Sequence, residues 1–143
     1  MNDTVELATI MNSPKNVLVV DDDKDVRETL VECLESLGFQ VMQAEDGADA
    51  QRQLETGLGD LFAVFSDLDM PGLKGTKLLR MLVQLRSDAF RVLMSGRIGV
   101  DSQQDSEWQA NSQAHALLAK PFTLARLREI KQLLEQLFAK RKH

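Results

Sequence analysis

The amino-acid sequence predicts a single α/β domain in which five parallel strands form one sheet with helices on both faces. Three observations predict it. Short apolar runs without polar alternation, such as Asn16–Val20 and Leu61–Ser66, read as strands buried on both faces. Between such runs lie segments whose apolar residues recur at helical spacing, as at Val26, Leu30, Cys33, Leu34 and Leu37. The two kinds of segment alternate five times, and right-handed crossovers of that length return the chain to begin each strand in the same direction.

The elements follow in order. Met1–Lys15 shows no clear period and contains Asn12-Ser13-Pro14, so it is expected as a leader outside the fold, with part of Val5–Ile10 able to dock as a short helix. The domain then runs over residues 16–143. The first strand, Asn16–Val20, precedes a helix over Lys24–Leu37 that Gly38 stops. Phe39–Ala44 is a short strand and Gly47–Leu54 a weaker helix. The third strand ends at Ser66-Asp67, and Met70-Pro71-Gly72 turns the chain. Thr76 is expected to cap a helix reaching Leu85, with Leu78, Leu79, Leu82 and Leu85 inward. Phe90–Met94 is the fourth strand. A polar segment after it carries a weakly packed helix near Ser102–Asn111. Ala116–Ala119 is the fifth strand, and Thr123 caps a last helix with Leu124, Leu127, Ile130, Leu134 and Leu137 in one stripe.

Composition narrows the function. A formal net charge of −5 over 143 residues argues against a surface made for nucleic acid phosphates. The basic end, Lys140 to His143, is accounted for by the dipole of the last helix. Cys33 is the only cysteine, which excludes a disulfide framework or thiolate metal cluster, and on the buried helix face it serves as a small hydrophobe. No run approaches the ~20 apolar residues that cross a bilayer, and no signal-like segment opens the chain. Cytoplasmic placement without membrane insertion is the expectation.

Four strands end in reactive side chains: Asp21 and Asp22 after the first, Asp67 at the third, Ser95 at the fourth and Lys120 after the fifth. Parallel strands put all of them at one sheet edge, where ligands bind in open α/β folds. Crowded carboxylates repel unless a cation sits between them, and Asp21, Asp22 and Asp67 offer the all-oxygen donors that suit Mg²⁺ or Mn²⁺. A carboxylate is also a nucleophile toward phosphorus. Phosphoryl transfer needs alignment and neutralisation of the equatorial oxygens, which a metal, the Lys120 ammonium and the Ser95 hydroxyl can supply.

Taken together, Val17–Asp23, Ser66–Gly72, Val92–Gly96 and Leu118–Phe122 resemble the receiver domains of two-component response regulators, over Asn16 to about Ala139. The resemblance implies a flavodoxin-like sheet of strand order 2-1-3-4-5 and phosphorylation of Asp67 by a histidine kinase or histidine phosphotransfer protein. It implies Mg²⁺ (or Mn²⁺) held by Asp22, Asp67 and the Asp69 carbonyl, with Asp21 acting largely through water. Further implications are a cis Lys120-Pro121 peptide, a downstream protein target, and homodimerisation through the last strand and helix, with Leu133 and Phe138 as a second apolar stripe. Slow self-hydrolysis rather than enzymatic turnover is expected. Receivers often carry Tyr or Phe three residues before the lysine; Leu117 stands there, so readout is expected through the loop after Ser95. Asp69 and Arg97 occupy positions that tune phosphoryl lifetime in the family, and their charges can pair across the mouth of the site. The step Ser95-Gly96, the polar segment after it and Lys120–Thr123 look most like receivers fused to hybrid sensor kinases.

Plainer readings compete. Asp23 is assigned to the N-cap of the first helix, not to metal. His115 and His143 lack ligand spacing and are expected in solvent, and Trp108 is expected against the sheet edge. Asp67-Leu68-Asp69 also resembles the opening of haloacid dehalogenase-type phosphatases. Those place their metal acids after the lysine, whereas here the acid pair precedes the nucleophile and nothing acidic follows Lys120 until Glu129.

Overall fold

The computed structural model describes residues 15–57, 60–85 and 87–141. Strands β1 (Asn16–Val20), β2 (Gln40–Ala44), β3 (Ala63–Asp67), β4 (Phe90–Ser95) and β5 (Ala116–Ala119) form one sheet in the order β2-β1-β3-β4-β5. Every pairing is parallel. The helices are α1 (Lys24–Ser36), α2 (Gly47–Glu55), α3 (Gly75–Gln84), α4 (Ser102–Ser112) and α5 (Leu124–Arg141).

Alternate strand residues face opposite ways, so the sheet has two cores. Val17, Val19, Phe65, Val92 and Leu118 pack with Leu30 and Leu34 of α1 and with Leu127, Ile130 and Leu134 of α5. Leu18, Val20, Val64 and Leu93 pack on the other side with Ala50 of α2 and with Leu78, Leu79 and Leu82 of α3. This two-sided burial explains why β1 and β3 read as continuous apolar runs.

Local signals act largely as expected. Asp23 caps α1 by accepting the Asp25 and Val26 N–H groups, and Gly38 leaves the helix at φ +98°. The Thr123 hydroxyl accepts the Arg126 N–H at the start of α5. Lys140 and Arg141 lie in its last turn. Asp101 caps α4, whose one buried residue is Ser112, matching its weak sequence stripe.

Several expectations are corrected. Thr76 does not cap α3: Lys74 occupies that position without a side-chain bond, and Thr76 sits inside the first turn. The cause is Gly75. A Cβ there would lie 2.0 Å from the Asp67 carbonyl oxygen, so only glycine lets the helix begin against the strand end. His115 is half-buried rather than solvated: its Nδ1 accepts the Arg91 N–H at 3.0 Å and its ring meets Phe90 edge-on at 5.0 Å. Phe138 offers no free stripe, because it packs edge-on against Phe62 at 5.7 Å, leaving Leu133 exposed. Cys33 is only half-buried, packed at the margin of the core. The expected leader falls outside the described residues except for Lys15, whose carbonyl accepts the Gln40 N–H and whose ammonium lies 5.5 Å from the Phe62 centroid. His143 is outside them as well. Among the described residues no helix is long and apolar enough to cross a membrane.

Candidate functional site

Register brings the reactive residues level. Val20 pairs with Ser66, so Asp21 lies one step past β1 beside Asp67; Asp67 pairs with Met94, and Ser95 with Ala119, which places Lys120 next. Asp21, Asp67 and Ser95 are buried, at 1%, 7% and 2% exposure, whereas Asp22 is exposed. One ligand oxygen from each of Asp21, Asp22 and Asp67 lies within 4.8 Å of the others.

Lys120 crosses the sheet edge to bind two of these groups. Its Nζ donates to Asp21 Oδ2 at 2.6 Å and to Asp67 Oδ1 at 3.0 Å. Asp21 Oδ1 accepts the Asp23 N–H at 2.9 Å, so both Asp21 oxygens are engaged. Burial pushes the Asp67 carboxyl above its ordinary value, opposed by the Lys120 hydrogen bond and charge and reinforced by Asp21 and Asp22. Burial also opposes the Lys120 charge, yet its bonds to Asp21 and Asp67 outweigh this and hold the ammonium above its ordinary value. The partners respond differently because the ammonium has two anionic neighbours while Asp67 has one cation and two competing acids. Ser95 Oγ accepts the Arg97 N–H at 3.0 Å, leaving its proton to donate elsewhere.

The donor set fits a hard cation. The residues are all-oxygen, one is exposed, and Asp67 Oδ2 and the Asp22 carboxylate make no hydrogen bond among the described residues. Asp69 differs from the three clustered acids: its carboxylate turns aside to accept Arg97 Nη2 at 2.7 and 2.8 Å, the pairing expected across the mouth. Lys120-Pro121 is cis, as the resemblance implies. Leu117 is half-buried at the margin of the second core.

Two participants and one contact escaped the sequence reading. Arg27 donates to the Asp21 carbonyl at 2.8 Å and to Gln43 at 3.0 Å, fixing the turn that presents Asp21. The buried Ser66 hydroxyl donates to the Asp67 carbonyl at 3.1 Å. Arg97 also lies over the Trp108 ring, 5.1 Å from its centroid, so Trp108 belongs to the site's rim as well as to the core margin. None has a sequence pattern that announces it: the Ser66 and Arg27 bonds to backbone carbonyls are set by local geometry, and the Arg97–Trp108 contact by tertiary approach.

A parallel sheet with acids, a hydroxyl and a lysine gathered at one edge defines a signalling receiver. A family model described as "Response regulator receiver domain" matches residues 17–132, and the chain belongs to that family. Transcriptional regulatory protein PrrA of Mycobacterium tuberculosis is 38% identical over 119 residues, 83% of this chain and 48% of that protein. Response regulator receiver protein CpdR of Brucella abortus is 31% identical over 121 residues, 84% of this chain and 97% of that protein. Response regulator protein TrrA of Thermotoga maritima, solved in complex with Mg(2+)-BeF, matches with TM-score 0.69 and 29% identity, covering 83% of this chain and 98% of that one. The chain spans about half the length of the first relatives it matches, 48% of each PrrA. Family membership favours the regulatory receiver over the phosphatase alternative.

Proposed function

We propose that Asp67 accepts a phosphoryl group from a phosphohistidine on a histidine kinase or histidine phosphotransfer protein, and that this changes the protein surface offered to a downstream target. The observation that carries the reading is the meeting of Asp21, Asp22 and Asp67 within 4.8 Å, with the Lys120 ammonium 3.0 Å from Asp67. Asp67 Oδ2 is the nucleophile, since Oδ1 is occupied by Lys120. Its lone pair forms the new O–P bond as the P–N bond of the donor breaks, and that electron pair leaves with the imidazole. Lys120 and the Ser95 hydroxyl donate to two phosphoryl oxygens, with no proton transfer required of either.

Asp22, Asp67 and the Asp69 carbonyl would hold Mg²⁺ (Mn²⁺ suits the same oxygens), with Asp21 acting through water because both its oxygens are engaged. Such an ion would supply charge that neutralises the transferring phosphoryl group. In this reading residues 16–143 are the receiver, residues 1–15 a leader, and the protein acts in the cytoplasm, hydrolysing its own phosphoryl group slowly. Exposed Leu133 and Leu124 on α5 support pairing of two copies through the last strand and helix.

Incubation with acetyl phosphate and Mg²⁺, followed by intact mass, tests the reading. A lasting gain of about 80 Da, one phosphoryl group, that is absent in Asp67→Asn is the expected result. Rapid multiple turnover of small phosphate esters would return the chain to the phosphatase class.

A further inference from the structure

We propose that Arg97 is a two-seat lever between the Asp67 site and α4: Asp69 is its first seat, Asp105 its second, and the Trp108 ring the surface between them. What moves the lever rests on the phosphoryl-acceptor reading above; the existence of the second seat does not.

The first seat is occupied. Arg97 Nη2 reaches both Asp69 oxygens, at 2.7 and 2.8 Å, while the guanidinium lies 5.1 Å from the centroid of Trp108. A cation on an aromatic face is attracted by the ring and can slide across it without losing that contact. The second seat lies one turn earlier on the same helix. Asp105 and Trp108 stand three residues apart in α4, a spacing that makes them neighbours about 5–6 Å apart at Cβ.

Asp105 is unusual in the described structure. Its Oδ2 accepts the Gly99 N–H at 2.9 Å, and its Oδ1 is shielded from solvent with no partner. No other buried side-chain oxygen or nitrogen among the described residues is left so. A buried acceptor without a donor is costly, and for a carboxylate the most effective remedy is a guanidinium. Gly99 is two residues beyond Arg97 in one loop, so the Asp105 carboxylate already holds the loop that carries Arg97. Arg97, carried by that same loop and resting on the ring three residues along the same helix, is the charge partner offered to Asp105 once it leaves Asp69.

The site has two handles on that departure. Ser95 Oγ accepts the Arg97 backbone N–H, so a hydroxyl that turns toward a phosphoryl oxygen weakens the tie fixing the base of the Arg97 side chain. A bound divalent ion would add more positive charge at Asp22 and Asp67 than the phosphoryl group adds negative, and that net change would repel the guanidinium beside Asp69 at the mouth more than at Asp105 on α4. Such differential interaction with two seats is what shifts a population. With Leu117 in place of a ring, the moving group is an arginine and the element addressed is α4, which has one buried residue to anchor it.

Trp108 is the only tryptophan and the chain has no tyrosine, so intrinsic fluorescence reports this ring. The first test needs no phosphoryl group. Asp105→Asn keeps an acceptor for Gly99 but removes the charge, and in the wild-type chain it should leave Trp108 emission unchanged. In Asp69→Ala, where the first seat is gone, Asp105→Asn should change emission and lower the folding equilibrium constant about fivefold, as for coupled neighbours. With Arg97→Ala added, that difference between backgrounds should vanish. Equal effects of Asp105→Asn in both backgrounds would overturn the second seat.

The second test adds acetyl phosphate and Mg²⁺ and follows mass and emission together. Wild type should gain the phosphoryl group with a change in emission, and Asp105→Asn should gain as much phosphoryl with a smaller change. A labelled wild-type protein with unmoved emission would refute the lever. A protein that takes no label would refute the acceptor assignment of Asp67, and the fluorescence cycle would still decide the second seat.

Discussion

Lowering the pH from about 7 to about 5 should destabilise this protein through His115, in a window set by the ordinary and shifted histidine pKa. The Nδ1 of His115 accepts the Arg91 N–H at 3.0 Å, which only a neutral imidazole with that nitrogen free can do. Burial, helped by the nearby Arg91 and Arg141 charges, lowers its pKa from 6.5 to about 4. The folded pKa is depressed, so the unfolded chain binds the extra proton between these values. Stability is therefore fully present above 6.5 and is lost as the pH falls toward 4. At ~1.4 kcal/mol per pH unit, and discounted because the ring is partly exposed, the loss by about pH 5 is about 1–2 kcal/mol. His115→Asn isolates it, since the Asn oxygen can replace Nδ1 as acceptor but does not titrate. That variant should be less stable near neutrality by about 1 kcal/mol, having lost the edge contact with Phe90. Urea unfolding across this pH range should show the two proteins converging as the pH falls. The Asp67 carboxyl, also pushed up by burial, titrates in both proteins and cancels from their difference. Parallel curves would refute the neutral, hydrogen-bonded imidazole.

Gly75→Ala should cost about 1–3 kcal/mol in urea unfolding, as overpacking does, and slow phosphoryl uptake, because its methyl would meet the Asp67 carbonyl at 2.0 Å. Wild-type values in both would show that α3 yields freely. Asp22→Ala should abolish most Mg²⁺ binding in a titration, whereas Asp23→Ala should keep it and lose about 1 kcal/mol of stability with the α1 cap. Lys120→Met should slow acetyl phosphate labelling by about 10²-fold, the scale of losing one donor to developing charge, with a far-ultraviolet circular dichroism spectrum like that of the wild type.

The site was legible because its residues sit at the ends of apolar runs. Val20 and Phe65 mark where strands stop being two-sided, so Asp21 and Asp67 could be placed at one edge from pattern alone. Thr76 misled because a capping residue beside a polar-to-apolar boundary is a local signal, while the true helix start is dictated by Gly75 against a carbonyl eight residues earlier. His115 and Phe138 misled for a related reason. Each looks outward-facing in its own segment and is half-buried against an aromatic ring distant in sequence, Phe90 for His115 and Phe62 for Phe138. The Arg97–Trp108 contact was hidden because α4 has almost no apolar stripe, so no periodicity reveals which face it turns inward.

The reach of Lys120 bears on how the domain assembles. Its ammonium leaves the edge strand β5, passes the end of β4 and neutralises acids on β3 and β1, its Asp21 partner lying 99 positions earlier in the chain. On the ribosome Asp21 and Asp67 are therefore made well before the cation that reconciles them. Without β5 docked, Asp21 and Asp67 would face one another at the functional edge without the Lys120 ammonium between them. Docking of the last strand and helix thus completes the charge balance of the site in the same event that closes the sheet.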